Sequence, residues 1–390
     1  MKKYGVNTQE NHEAERHRQR AKEMQEEKQR QEQVEREKKA QFRDKARSKL
    51  EGALQAKNKK GIWDRYSYHI VFGVLGLLLV FGLMGKAPAE RRSAKEIEVL
   101  EDDFIAKVNS EGRGYTVGPN TFFEGWTLFD VKRILSNSFT KKKNIPRCNI
   151  EEDEIAIDKY NFLEKHPNCV EPPRSQFNCS SSFAFATTGI FSDKLCILNN
   201  DEKVFRASPQ HPLSCDSATS KGCEGGFLVG AMDLGRVAGF VDEECLPYDI
   251  ETANECPVEK ISKCKRSKIQ DYCVVEGMEV IKKHLATSGP VAAMMHVTRE
   301  FLVYKDGIYD ESQSEYKLEG VQAVKIVGWD SDYGVDFWII ENSWGQSWGK
   351  DGYAYVKMGV TDSFLEKVAL TVNPVTAESK DAQKQQTADN

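Results

Sequence analysis

The chain has 390 residues, of which 39% are hydrophobic and 29% charged, and its formal net charge at pH 7 is −5. This composition is that of a folded protein, which excludes a chain that is disordered throughout, and the length leaves room for several structural units. The charge is uneven, because residues 1–60 carry a net charge of +7 and the remaining residues therefore carry −12. The asymmetry predicts that the two parts of the chain lie in different compartments.

Residues 1–65 form a charged arm. Between residues 8 and 60 the sequence has no proline and a single glycine, Gly52, and it is dominated by good helix formers. Opposite charges recur at helical spacing, so we predict a long solvated helix, with partial disorder as the alternative. Acidic residues are interspersed among the basic ones, which favours a solvated arm or a helix that binds protein over one that binds nucleic acid.

The stretch from Tyr66 to Gly85 has no formally charged side chain. Its length of about 20 residues is enough for a helix to cross the hydrocarbon core of a bilayer. Trp63, Tyr66 and Tyr68 form an aromatic belt at one end. We predict a single transmembrane helix over residues 66–85 that acts as a signal anchor; the alternative is a buried core helix.

The cysteines indicate the orientation of this helix. All ten lie after it, between Cys148 and Cys273, and an even set on one side implies an oxidising compartment. The excess of Lys and Arg before the span, six against four in the flanking twenty residues, mildly favours a cytosolic amino terminus. The body is predicted to face an endomembrane lumen or the cell surface; the alternative is the mitochondrial inner membrane, with the body in the intermembrane space.

A cysteine and a run of serines stand at the centre of the body. Gln176 is followed three residues later by Cys179, then by the run that ends at Ser182, and then by Phe183-Ala184-Phe185. This segment resembles the active-site segment of papain-like cysteine proteases. In that family, the nucleophilic cysteine stands where Ser182 stands here.

Three further segments occur in the order of the same family. The segment from Cys215 to Gly226 ends in Cys223-Glu224-Gly225-Gly226, and the segment from Asn342 to Tyr353 matches a highly specific Asn-Ser-Trp-Gly signature. Between them, residues 320–329 resemble the segment of the catalytic histidine, with Gln322 at its position. The resemblance covers residues 97–374 and implies an α+β, papain-like two-lobe fold, with a helical lobe and a β-rich lobe.

The resemblance assigns roles that two substitutions undermine. It implies that Gln176 is the oxyanion donor, that Asn342 orients the histidine, and that Gly225, Gly226 and Trp344 shape the cleft. A serine hydroxyl needs an adjacent base to attack a carbonyl, and the amide of Gln322 neither accepts a proton near neutral pH nor carries charge. We therefore expect no functional catalytic residue, although Gln176 and Asn342 could still bind a carbonyl oxygen.

Two alternatives concern the alignment and the base. The serine run allows a shifted alignment in which the nucleophile lies elsewhere, although no other cysteine precedes an aromatic-Ala-Phe sequence. Another histidine would have to act as base, and none has the sequence surroundings of Gln322. The candidates in the globular region are His166, His211, His284 and His296.

Residues 97–150 resemble the short prosegment of cathepsin B-like enzymes, which crosses the cleft until proteolysis removes it. Asp103–Asn109 and Gly125–Phe129 carry the resemblance. Without self-cleavage, the prosegment is expected to stay attached and to fill the cleft; the alternative is a relic without a role. The papain-like domain is predicted over residues 156–374, followed by a disordered tail over residues 375–390.

Family analogy implies four disulfide bonds. They are Cys179–Cys223, Cys169–Cys196, Cys215–Cys256 and Cys245–Cys264, of which only the first is firm, because sequence alone does not decide connectivity. Cys148 and Cys273 are left without an assignment. The competing interpretation, a zinc site, has no Cys-x-x-Cys spacing to support it, so no metal and no cofactor are expected.

The leading hypothesis for function is a membrane-anchored papain-fold pseudoprotease. It would act by binding a peptide or protein partner, or as a scaffold subunit of a membrane complex. The second hypothesis is a residual or unconventional peptidase. The third is a purely structural subunit, which a blocked cleft would favour.

Overall fold

The computed structural model describes residues 93–135, 144–150, 157–314, 317–360 and 363–375. The predicted arm over 1–65, the predicted span over 66–85 and residues 376–390 of the predicted tail lie outside these ranges. None of the helices within the ranges has the length and apolar character needed to traverse a bilayer. Val375, the first residue of the predicted tail, lies within the described residues, and its N–H donates to the Lys268 carbonyl at 2.9 Å.

The described residues contain both helices and strands, numbered here in chain order. The helices are α1 (Asp102–Ser110), α2 (Leu128–Ile134), α3 (Phe162–Lys165), α4 (Ser182–Leu198), α5 (Gln210–Cys215), α6 (Leu228–Val237), α7 (Val258–Ile261), α8 (Met278–Ser288) and α9 (Arg299–Leu302), with 3₁₀ turns at Ile250–Thr252 and Glu311–Gln313. The strands are β1 (Tyr115–Val117), β2 (Tyr160–Asn161), β3 (Phe240–Val241), β4 (Arg266–Ser267), β5 (Ile269–Val275), β6 (Val291–Thr298), β7 (Tyr304–Tyr309), β8 (Lys317–Asp332), β9 (Val335–Glu341), β10 (Tyr353–Lys357) and β11 (Ala369–Pro374).

One large sheet organises the β-rich part of the protein. Its strands follow the order β1-β7-β10-β9-β8-β6-β11-β5, and β2 pairs with β8 outside this path. Strand β6 reads Val-Ala-Ala-Met-Met, and its side chains alternate between two hydrophobic cores. Because successive side chains of a strand point to opposite faces, the sheet is buried on both sides. The α+β architecture that the resemblance implies is therefore confirmed.

Helix α4 is the centre of the helical lobe. Both Phe183 and Phe191 are fully buried, and apolar side chains occur all round the helix rather than on one stripe. Such a pattern is expected of a helix that is covered on every side. Helix α4 contacts the sheet through β8 and β11 and the helical lobe through α6, so it fixes the position of its first residue, Ser182, between the two lobes.

Five disulfide bonds join the ten cysteines. Four are the pairs that family analogy implies: Cys179–Cys223, Cys169–Cys196, Cys215–Cys256 and Cys245–Cys264. The fifth joins the two unassigned cysteines, Cys148 and Cys273. No cysteine remains free, which excludes a zinc site built on cysteine.

Helix α4 carries a buried lysine, Lys194, which has no carboxylate at hydrogen-bond distance among the described residues. The Lys194 ammonium lies 2.6 Å from Thr371 Oγ1 and 3.1 Å from His284 Nε2. Burial lowers the pKa of Lys194 to about 7 from its ordinary value of 10.5, although the charge of Asp271 acts in the opposite direction. Burial, followed by the neighbouring lysine, lowers the pKa of His284 to about 3.

We predict that Lys194 makes stability depend on pH in the alkaline range. Between pH 7 and pH 10.5 the unfolded chain binds a proton at Lys194 that the folded protein lacks, so the free energy of unfolding rises with pH there. In Lys194→Met this contribution is absent, so wild type should gain stability relative to the variant between pH 7 and pH 9.5. Urea unfolding at several pH values measures the difference in unfolding free energy between wild type and Lys194→Met, and Lys260→Met, at an exposed position, is the control. A pH-independent difference would contradict the prediction.

Candidate functional site

Ser182 lies at the amino terminus of α4 and is completely buried. Its Oγ accepts a hydrogen bond from the Ala323 N–H at 3.2 Å, which places it beside Gln322 on β8. The structure thus brings the nucleophile position and the base position of the sequence prediction together. The helix terminus adds a positive electrostatic potential at Ser182.

The Gln322 side chain is the hub of a buried amide network. Its amide nitrogen lies 2.7 Å from Gln176 Oε1, 2.9 Å from Asn342 Oδ1 and 3.2 Å from Ser343 Oγ. An amide nitrogen has two N–H groups, so one of them is shared between acceptors. The network holds Gln322 as a hydrogen-bond donor, and an amide in this position cannot take a proton from Ser182.

Gln176 has less freedom than the sequence suggested. Its amide nitrogen donates to the Cys179 carbonyl at 2.8 Å, and its Oε1 also accepts from Ser343 Oγ at 2.6 Å. One N–H of the predicted oxyanion donor is therefore committed to the protein itself, and the side chain is fully buried. The expectation that Gln176 can still bind a carbonyl oxygen rests on its second N–H alone.

Three buried polar atoms of the site have no hydrogen-bond partner among the described residues. They are Gln322 Oε1, Asn342 Nδ2 and Trp344 Nε1. Leaving such a group unpaired in the interior costs on the order of 1–3 kcal/mol. The amide of Gln322 therefore satisfies only part of the hydrogen-bonding capacity of its surroundings.

The predicted cleft residues pack against aromatic rings. A Cβ atom on Gly226 would lie 2.4 Å from the Phe183 ring, so only glycine fits there. Gly225 has a φ of +108°, which is a backbone conformation that favours glycine. Trp344 is fully buried and stacks on Phe122 of the predicted prosegment, with ring centroids 6.0 Å apart.

We predict that Gly226→Ala destabilises the protein by about 1–3 kcal/mol, because the added methyl group overpacks a fully buried ring. The matched control is Gly118→Ala, where the nearest atom to an added Cβ is Lys305 Cγ at 4.0 Å and the backbone has no positive φ. Thermal unfolding should show a larger loss for Gly226→Ala than for the control. An equal loss would mean that the Phe183 ring moves aside freely.

An aromatic cluster around Trp344 was only partly visible in the sequence. Phe123 contacts the Trp344 ring edge-on at 5.0 Å, and Trp126 lies 5.6 Å from Phe123 between ring centroids. Phe122, Trp126, Phe177 and Trp344 line a cavity of about 700 Å³ beside the site. Phe177 is 56% exposed at a φ of +51°, and no motif in the sequence points to its place at this cavity.

The four histidines of the folded region make their contacts elsewhere. His166 pairs with Asp201 at 2.7 Å, and His284 Nε2 lies 3.1 Å from Nζ of Lys194 on α4. His211 packs edge-on against Phe240, and His296 packs against Phe364. Since Ser182 Oγ accepts its hydrogen bond from the backbone N–H of Ala323, the alternative of a different histidine base gains no support from the described residues. Nor do these residues contain a cluster of three side chains suited to a metal ion.

A buried ion cluster lies three residues beyond Gln322 on the same strand. Lys325 Nζ contacts Asp193 of α4 at 2.6 Å and Glu341 of β9 at 2.8 Å. The carboxylates raise the pKa of Lys325, which overcomes the effect of burial, so the ammonium stays charged. Burial raises the pKa of both carboxyl groups, and the single cation between them offsets this effect only in part. The cluster joins the helical lobe to the sheet.

Known proteins with related sequences support the resemblance. Residues 158–372 match the model of the papain family cysteine proteases. Cathepsin B-like CP2 of Giardia intestinalis is 31% identical over 292 residues, which cover 71% of this chain and 94% of that protein. Human tubulointerstitial nephritis antigen-like is 27% identical over 315 residues, which cover 70% of this chain and 68% of that protein.

Solved structures agree with the sequence comparisons. Procathepsin B S9 from Trypanosoma congolense superposes with a TM-score of 0.64 at 25% identity, over 72% of this chain and all of that one. The family match spans more than half of the chain and contains Ser182, Gln322 and Asn342. The chain therefore belongs to the papain family of cysteine proteases and is cathepsin B-like.

Proposed function

We propose that the protein is a membrane-anchored papain-fold pseudoprotease, which acts by binding a protein or peptide or as a scaffold subunit. The observation that carries the proposal is Gln322, an amide that stands at the base position and donates to Gln176 and Asn342. Ser182 beside it has neither a thiol nor a base to activate its hydroxyl. Residues that act as a catalytic unit fail together when one is lost.

The proposal of a membrane anchor is based on the apolar stretch over residues 66–85. The proposal for the compartment is based on the cysteines, all of which follow that stretch and form five disulfide bonds. Disulfides persist in oxidising compartments, so the papain-like domain faces an endomembrane lumen or the cell surface, with the mitochondrial intermembrane space as the alternative. The partner is a protein or peptide and not a nucleic acid.

Burial of the site favours the scaffold form of this proposal over capture of a peptide in the cleft. Gln176, Ser182 and Gln322 are each 0% exposed. A peptide chain could reach these side chains only if the parts of the protein that bury them moved away. The rings of Phe122 and Phe123 pack on Trp344, which follows Ser343 of the buried network, so the predicted prosegment lies close to these side chains.

The alternative is a residual or unconventional peptidase. To separate the two, the full chain is purified in detergent with a specific protease site in place of residues 151–156 and with Cys148→Ser/Cys273→Ser, and the predicted prosegment is removed with that protease. The protein is then incubated with a library of fluorogenic peptides beside the same protein carrying Ser182→Ala. The pseudoprotease proposal expects equal, background signals from both proteins. A wild-type signal that the Ser182→Ala variant loses would overturn it and would establish serine-type catalysis at this site.

A further inference from the structure

The prosegment is built into both edges of the large sheet. At one edge, β1 pairs with β7, with Tyr115 opposite Gly307. At the other edge, the chain around Arg147 runs beside β5, because the Cys148 N–H donates to the Val274 carbonyl at 2.9 Å. The Val274 N–H donates in turn to the Pro146 carbonyl at 2.8 Å. Strands at a sheet edge expose unpaired backbone groups, and here prosegment residues cover both outer strands.

Charged contacts hold the first part of the prosegment. Arg299 of the β-rich lobe binds Glu101 at 2.7 Å, and its guanidinium lies 3.9 Å from the centroid of the Phe104 ring. Arg113 binds Glu300 at 3.3 Å in a nearly buried pair and donates to the Gln313 carbonyl at 2.8 Å. These contacts join prosegment and body without a covalent bond.

The second part of the prosegment is joined covalently. Cys148 forms a disulfide with Cys273 of β5, across a sequence separation of 125 residues. Cys148 precedes residue 156, where the papain-like domain is predicted to begin, and Cys273 lies well within that domain. A cut in the intervening chain, at residues 151–156, would thus leave the two parts linked through sulfur.

We infer that the Cys148–Cys273 disulfide is a tether that keeps the prosegment on the papain-like domain when the chain between them is cut. Processing at this junction then gives a disulfide-linked protein of two chains instead of a free mature domain. The tether does not depend on the identity of residues 182 and 322. It is the bond that would keep the prosegment attached permanently.

The tether has a second consequence, which rests on the proposed membrane anchor. A cut at residues 151–156 separates the predicted span over 66–85 from the papain-like domain in the chain. With the disulfide in place, the domain stays at the membrane after the cut. Without it, only the noncovalent contacts remain to prevent release.

The test replaces residues 151–156 with the recognition sequence of a specific protease, in the full chain expressed in membranes. Membranes are treated with that protease, washed and sedimented, and the papain-like fragment is measured in pellet and supernatant. The parent is compared with Cys148→Ser/Cys273→Ser, and Cys215→Ser/Cys256→Ser serves as the matched control because it removes a disulfide within the domain. We expect the fragment in the pellet for the parent and the control, and at least about tenfold more of it in the supernatant for Cys148→Ser/Cys273→Ser.

A second measurement covers the case in which the cysteine variant does not fold. The cut parent is alkylated under denaturing conditions without reductant and analysed by mass spectrometry and by electrophoresis. A single disulfide-linked species that separates only after reduction supports the tether. Alkylated Cys148 and Cys273, or a variant that retains its prosegment as well as the parent does, would overturn it. If the papain-like domain is found in the supernatant before any cut, the proposed membrane anchor is wrong. The tether is then decided by the alkylation measurement alone.

Discussion

The double variant Ser182→Cys/Gln322→His is expected to hydrolyse peptides after its prosegment is released, with kcat/KM at least about a thousandfold above wild type. A cysteine at the amino terminus of α4 gains thiolate character from the helix and from an adjacent imidazolium. A histidine at position 322 lies where the amide nitrogen now contacts Asn342 Oδ1 at 2.9 Å, so the same oxygen can orient its ring. Replacing Gln322 also removes the unpaired buried Oε1.

The two single variants separate the contributions. Ser182→Cys has a thiol without a base, and Gln322→His has a base beside a hydroxyl, so each is expected to remain near background. All these proteins have the protease site in place of residues 151–156 and the substitutions Cys148→Ser/Cys273→Ser, so that the prosegment can be removed before the assay. The assay is fluorogenic peptide hydrolysis, together with the rate of iodoacetamide reaction at pH 6. A silent double variant that is folded and free of its prosegment would show that more than these two positions disables the site.

Lys325→Met is expected to lower the free energy of unfolding by about 3–5 kcal/mol at pH 7, because two buried carboxylates lose their shared cation. The side chains of Lys325, Asp193 and Glu341 are 7%, 4% and 17% exposed, so water can replace little of the lost interaction. Methionine keeps the apolar stem, so the loss reports the charge more than the packing. Urea unfolding of wild type and variant gives the difference.

The matched control is Lys350→Met. Lys350 pairs with Asp306 at 3.2 Å, but the two side chains are 46% and 58% exposed, and exposed pairs contribute less than about 1 kcal/mol. The loss in Lys325→Met should shrink as pH falls from 7 to 5. Lys325 lowers the pKa of both carboxyl groups, so its removal raises their folded-state pKa further and the variant gains more from protonation than wild type does. A loss that is the same at both pH values would show that packing, not charge, is responsible.

The fold could be predicted because its signals are local. The spacing of Gln176, Cys179 and the following aromatic, together with the signature that begins at Asn342, placed the two lobes in order along the chain. The helix that begins at Ser182 and the buried strand around residues 323–329 followed from the same segments. Glycine at position 226 also had a local cause, since a side chain there would meet the Phe183 ring.

What the sequence did not reveal depends on contacts between distant parts of the chain. The pairing of Cys148 with Cys273 requires the prosegment to end beside β5, which no motif encodes. The hydrogen bond from Gln176 to the Cys179 carbonyl is a choice of side-chain orientation that residue identity leaves open. Lys325 stands in an apolar strand, so the sequence alone indicates that its side chain is buried. Its partner Asp193 comes from α4, more than a hundred residues earlier, and no local pattern reveals that contact.

Because it lies at both edges of the sheet, the prosegment also constrains the order in which the protein folds. Arg113 is separated from its partner Glu300 by 187 residues, and Cys148 must wait for Cys273, which follows 125 residues later. Contacts of such high sequence separation close large loops and form slowly. During synthesis, the prosegment emerges before the papain-like domain and therefore has no docking surface until the strands that it pairs with are complete. We expect the prosegment to dock late, as the closing step of folding instead of its template.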